Sequence, residues 1–149
     1  MDPDFERLIG YRFKNRGLMV KALGEAGLQI AGNERLSLLG DKVLASMLLL
    51  RWYREGKITE HGTNLLQAYA SNKQLASRAR SLELPNFICQ RLDLGRNVPD
   101  HALVTAVEAI IVTVWLDAED SAQNVNRVME KMSLYSSEIS EFTYPKLDS

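Results

Sequence analysis

The sequence predicts an all-α domain, on three observations. Apolar residues recur at helical spacing along most of the chain, with no alternating run that reads as a strand. Two apolar stretches, residues 33–53 and 101–116, are longer than a typical strand. Ser, Thr, Asp or Asn stands ahead of most apolar segments, where a helix needs a cap.

The elements follow in order. Asp4 caps a short helix over residues 5–9, and Gly10 stops it. Residues 11–16 form a polar-aromatic connector. Leu18, Val20, Ala22, Leu23 and Ala26 mark a second helix that Gly27 ends. Residues 30–32 read as a loop. Asn33 caps a long third helix running to about Tyr53, with Glu34 in the first turn, where the helix dipole favours an acid. Thr59 caps a fourth helix to Ala70, with an irregularity at Gly62. Ser71 caps a fifth, residues 72–82, broken at Leu84-Pro85. Residues 86–91 make a short helix and 93–100 a loop. Residues 101–116 are rich in β-branched side chains, yet sixteen residues is too long for a typical strand, so a helix is expected. Ser121 caps a last helix from Ala122 to about Tyr135. One domain is expected over 1–149, with its core at about 4–135 and a loose tail at 136–149.

Composition narrows the function classes. The one cysteine, Cys89, excludes an internal disulfide and a thiolate metal site. His61 and His101 are too far apart for ligand spacing. No apolar run reaches the ~18 residues of a membrane span. The acidic start, Met1 to Glu6, is neither a signal nor a transit peptide, so an intracellular protein of the cytoplasm or nucleus is expected. No membrane partner or organic cofactor is implied. With a net charge of −1, nucleic-acid binding needs a local basic patch.

Two acids stand out. At about 100° per residue, Glu34, Ser37 and Asp41 share one face of the third helix, which turns apolar through Ala45, Leu48 and Trp52. Glu108 sits likewise among Val104, Thr105, Ile111, Val112 and Trp115. Two helices that are apolar nearly all round are central and pack on each other. That brings Asp41 and Glu108 together, facing a cation. With no histidine or cysteine at hand, oxygen-only ligation points to Mg²⁺. A buried acid is equally satisfied by Asn, Ser, a helix N-terminus, Arg or Lys, and the pattern alone leaves both readings open.

The stretch Asn33-Glu34-Arg35-Leu36-x-x-Leu39-Gly40-Asp41-x-Val43-Leu44 resembles the signature of the ribonuclease III domain. Thr105 to Ile111, followed by Trp115-Leu116-Asp117, resembles that family's late catalytic helix. The opening Phe5-Glu6-x-x-Ile9-Gly10-Tyr11-x-Phe13, then Gly56 and Ser71-Asn72-Lys73-x-Leu75-Ala76, match in style and position. The resemblance implies an all-α endoribonuclease fold, a two-fold symmetric homodimer, and Mg²⁺-dependent cleavage of double-stranded RNA, with Mn²⁺ as the alternative ion. It further implies a metal site of four carboxylates, at positions occupied here by Ser37, Asp41, Thr105 and Glu108. Asp41 and Glu108 match as catalytic and metal-binding acids, and Glu34 matches a further acid of the signature. Ser37 and Thr105 replace a Glu and an Asp, so the ion is expected to be weakly held, with Glu34, Ser37 and Thr105 as auxiliary ligands. Asn72 stands where bacterial members often carry Glu.

No double-stranded-RNA-binding module is expected in the residues after Tyr135, so RNA contacts fall to the domain itself. Arg51, Arg54, Lys57, Lys73, Arg78 and Arg80 are the candidates. Leu36, Leu39, Val43, Met47 and Leu50 of the third helix are the candidates for a dimer interface. The competing reading is a catalytically inactive relative that binds RNA or serves as a dimerisation or protein-interaction module.

Overall fold

The computed structural model describes residues 3–23, 30–88, 98–119 and 121–135. They form α1 (Pro3–Ile9), α2 (Arg16–Ala22), α3 (Ile30–Arg54), α4 (Thr59–Ala70), α5 (Asn72–Ser81), α6 (Pro85–Ile88), α7 (Asp100–Asp117) and α8 (Ala122–Lys131). No strand occurs among the described residues. None of their helices is long and apolar enough to cross a membrane.

The α7 helix is the axis of the fold. Leu103, Val107, Ile110, Ile111 and Val114 are fully buried in it. It is covered by α2, α3, α5 and α8, as a helix apolar on all sides must be. The α3 helix crosses α7 and contributes Leu44 and Leu48 to the core. Where they cross, the backbones nearly touch: a Cβ on Gly40 would lie 1.9 Å from the Glu108 carbonyl oxygen. Glycine at that position is what lets α3 sit directly on α7.

Several local expectations are corrected. Residues 30–32 are helical rather than a loop, so Asn33 lies inside α3 instead of capping it. Carrying Gly32 costs about 1 kcal/mol relative to alanine, little beside the apolar surface α3 buries. Thr59 is the first residue of α4, and Ile58 stands at the cap without a side-chain bond. The expected irregularity at Gly62 is absent, because that glycine seats an indole. A Cβ there would come within 2.9 Å of the Trp52 ring, whose Nε1 donates to the Ile58 carbonyl at 2.7 Å. Pro85, expected only to break α5, opens α6, where its missing N–H and fixed φ cost nothing. The α8 helix stops at Lys131, short of Tyr135. Ser133 takes φ 59°, and the Leu134 N–H returns to the Met129 carbonyl at 2.8 Å.

Ser71 and Ser121 cap α5 and α8 as expected, accepting from the backbone N–H of Gln74 and Asn124. Asn15 caps α2 by accepting from Gly17. The expected end of the second helix at Ala26 and Gly27, residues 89–91 of the short helix, residues 93–97 of the loop and the tail at 136–149 lie outside the described residues.

Candidate functional site

The crossing of α3 and α7 brings the two sequence-singled acids together. Glu108 is buried, with 7% of its surface exposed, while the Asp41 side chain is 43% exposed. One acid is therefore inside the crossing and the other at its mouth. Ser37, one turn before Asp41, donates its hydroxyl to Glu108 Oε1 at 2.6 Å. Burial pushes the Glu108 carboxyl up to about 7; the Ser37 hydroxyl lowers it, and Asp41, by hydrogen bonding and by charge, raises it again. Lys42 adds a small opposing effect from its ammonium, 3.4 Å from Asp41 Oδ2. Near neutral pH, Glu108 beside Asp41 thus keeps a share of its own proton.

Thr105 does something different. Its Oγ1 donates to the His101 carbonyl one turn back at 2.9 Å, a common habit of helical threonine. Glu34 is exposed at the start of the same α3 face. Among the described residues, no group of three or more His, Cys, Asp or Glu side chains could hold a metal ion. Asp117, in the same motif as Glu108, is engaged elsewhere. It accepts from the Tyr11 hydroxyl at 2.7 Å and from the Lys14 and Asn15 backbone N–H at 2.8 Å each. Burial acts to raise it, but these three bonds prevail and hold it below the usual carboxylate range.

The basic residues divide. Arg51 is turned inward: it pairs with Glu130 at 3.0 Å, reaches Asn126 and lies over the Tyr135 ring at 3.9 Å. Arg80 binds the Val98 carbonyl and Asp100. Both are engaged within the chain's own fold. Lys57 and Lys73 are exposed, Arg78 is half-buried, and Arg54 lines a groove beside α8. The sequence reading passed over Arg12, Arg127 and Lys131, which flank a second groove. Their signal was faint, because no two of them are neighbours in sequence.

The dimer candidates divide too. Val43 and Met47 are 7% exposed and belong to the chain's own core, and Leu36 packs against it. Val43 and Met47 therefore face the chain's own core, while Leu36 keeps part of its surface exposed. Leu39 and Leu50 are 42% and 39% exposed, and Leu38 and Tyr53, which were not singled out, are 70% and 75% exposed.

Comparison with known proteins accords with this geometry. The family model of the ribonuclease III domain matches residues 34–119, from Glu34 through Asp41 and Glu108. Ribonuclease 3 of Xylella fastidiosa (strain M12) is 34% identical over 125 residues, covering 78% of this chain and 53% of its own length. Ribonuclease 3 of Campylobacter concisus is 30% identical over 152 residues, covering 97% of this chain and 64% of its own. The chain thus spans between half and two thirds of these relatives. A solved nuclease domain of ribonuclease III from Campylobacter jejuni superposes with a TM-score of 0.70 at 28% identity, covering 87% of this chain and 96% of that one. That structure is described as flexible in a region involved in dimer formation. The signature on α3, its second half on α7 and the helical frame that crosses them therefore agree: the chain belongs to the ribonuclease III domain family.

Proposed function

We propose that this domain is a ribonuclease III-type endoribonuclease that hydrolyses phosphodiester bonds of double-stranded RNA with a divalent ion and a reduced set of carboxylates. The observation that carries the reading is the pairing, at the α3–α7 crossing, of buried Glu108, held by the Ser37 hydroxyl, with Asp41 at its mouth. A dead core would gain by replacing such a pair with apolar side chains. The residues fit one hydrated Mg²⁺ or Mn²⁺, since Mg²⁺ binds through one or two carboxylates plus waters and substrate phosphate. When bound, such an ion supplies positive charge to the scissile phosphate and acidifies water.

The chain's own residues do the rest. Asp41 and Glu108 would hold the ion, and Glu108 must release its proton to do so. Ser37 fixes one Glu108 oxygen and leaves the other for a ligand. Glu34, exposed at the start of the face, is available to a substrate-bound ion. Thr105 contributes no charge. Lys57, Lys73, Arg54 and Arg78 are the open cations for RNA backbone. Leu38, Leu39, Leu50 and Tyr53 form the apolar face on which a second copy would pack.

The second reading is a non-catalytic relative that binds RNA or a partner protein. It is favoured by the hydroxyls of Ser37 and Thr105, both committed to protein acceptors. Labelled double- and single-stranded RNA, incubated with Mg²⁺ or EDTA beside Asp41→Asn, separates the two. Duplex cleavage that needs Mg²⁺ and falls at least a hundredfold in Asp41→Asn is expected. Cleavage that survives EDTA or the substitution overturns the metal-enzyme reading. Binding without cleavage supports the non-catalytic relative.

A further inference from the structure

The chain carries a net charge of −1, yet its cations are not evenly spread. Two adjoining grooves run along α8, of about 520 and 710 Å³, and Arg127 lines both. Arg54 stands in the first, and Arg7, Arg12, Arg16 and Lys131 stand in the second. Six of the charged side chains lining the two grooves are cationic and two are anionic. Both anions are taken: Glu6 pairs with Arg16 at 2.7 Å and Glu130 with Arg51 at 3.0 Å. Arg7 pairs with Asp4. Arg12, Arg54, Arg127 and Lys131 make no ion pair among the described residues. The surface therefore holds a local excess of positive charge on a molecule that is elsewhere acidic.

The fold builds this surface. Gly10, at φ +73°, turns the chain out of α1 directly beneath α8, and the aliphatic stem of Lys131 lies over it, 3.2 Å from where a Cβ would be. The stem packs while the ammonium stays at the rim. Arg127 and Lys131 are one turn apart on α8, so they project from one face.

We infer that the α8 surface, with Arg12, Arg54, Arg127 and Lys131, is a docking site for the phosphodiester backbone of RNA, remote from the carboxylate pair. Arg54 is thirteen residues beyond Asp41 on α3, about 20 Å along the helix, so the phosphates it meets are not the one being cut. The lining favours nucleic acid over an acidic protein. Ten of its fourteen residues carry a charge or an amide, and Tyr11, its one aromatic side chain, has its hydroxyl bound to Asp117. A protein interface would want apolar anchors at its centre, whereas phosphate contacts want forked guanidinium donors. This inference rests on the RNA reading above but not on catalysis.

The test measures binding alone. Fluorescence anisotropy with a labelled RNA duplex of about 20 base pairs, in EDTA so that no cleavage occurs, gives Kd across a salt series. Arg127→Gln/Lys131→Gln is compared with Lys14→Gln/Lys21→Gln, which removes the same charge from other exposed positions not assigned to RNA; melting temperatures check that both remain folded. The α8 variant is expected to bind at least tenfold more weakly, with a salt slope shallower by one to two, and to lose more than the comparison variant. Equal losses in the two variants, or none in the α8 variant, overturn the α8 site while leaving the RNA reading intact. Failure of the wild-type protein to bind RNA overturns both. Polyglutamate that binds the wild type as tightly as RNA of equal charge overturns the assignment to nucleic acid in favour of an acidic protein segment.

Discussion

The Ser37 hydroxyl donates to Glu108 Oε1 at 2.6 Å across the α3–α7 crossing. Ser37 therefore serves the buried acid directly. Its bond favours the ionised form of Glu108, against burial and Asp41. Ser37→Ala removes that support. The Glu108 carboxyl is expected to titrate at a still higher pH by carbon-13 NMR, and the fold to lose about 1 kcal/mol in urea denaturation. A Glu108 titration unmoved by Ser37→Ala would show that the hydroxyl is a bystander.

The raised Glu108 value sets a pH dependence of stability. Unfolded, the carboxyl ionises near 4.5; folded, near 7. Between those values the native state holds a proton that the unfolded state has lost. Stability of the metal-free protein from this group therefore falls as pH rises from about 4.5 to about 7, and is flat above. Urea midpoints in EDTA at pH 5, 6, 7 and 8 read the slope directly, and Glu108→Gln should remove it. A slope of opposite sign over that window would contradict the burial of Glu108 beside Asp41.

Two glycines give a graded packing test. Gly40→Ala drives a methyl group into the Glu108 carbonyl, 1.9 Å away, where backbone must move. A loss of about 3 kcal/mol is expected, with a parallel loss of any divalent-ion binding as the helices separate. Gly62→Ala meets only the Trp52 ring at 2.9–3.1 Å, so its cost should be smaller and should leave ion binding alone. Equal effects would refute the claim that Gly40 positions the site.

Asp117 supplies a separate prediction. Its carboxylate gathers the Tyr11 hydroxyl and two backbone N–H groups, and the Tyr11 phenol is held well above its ordinary value by burial and by this bond. Asp117→Ala should cost about 3 kcal/mol, since three donors lose a charged acceptor. Because the folded value is depressed, that stability is present above the ordinary carboxylate range and is lost as pH falls through the folded value. The Asp117→Ala penalty, measured by chemical denaturation at pH 7 and again at pH 3, should shrink in acid.

The sequence disclosed the frame and the acids for a physical reason. Asp41 and Glu108 interrupt long apolar helices, and apolar helices must meet in the core, so their proximity was readable before any coordinates. The crossing itself was not readable, because Gly40 looks like any glycine until a backbone lies against it. Gly32 and Gly62 misled in the same way: one was read as part of a loop and the other as an irregularity, yet α3 and α4 run through them, since tertiary packing outweighs a local preference. The end of α8 was placed late because Ser133, not a glycine, takes the left-handed position. That Val43 and Met47 sit in the chain's own core was not legible, because helical spacing alone does not separate an intramolecular face from an intermolecular one. Arg51 and Arg80 could not be told from open cations, since their partners lie 79 and 20 residues away.

The central claim is that Asp41 and Glu108 together take a divalent ion. Mn²⁺ binding followed by electron paramagnetic resonance at pH 8, where Glu108 is ionised, tests it most directly. The account predicts one weakly held ion per chain, with affinity lowered at least tenfold by either Asp41→Asn or Glu108→Gln. Mn²⁺ binding left unchanged by both substitutions would contradict it.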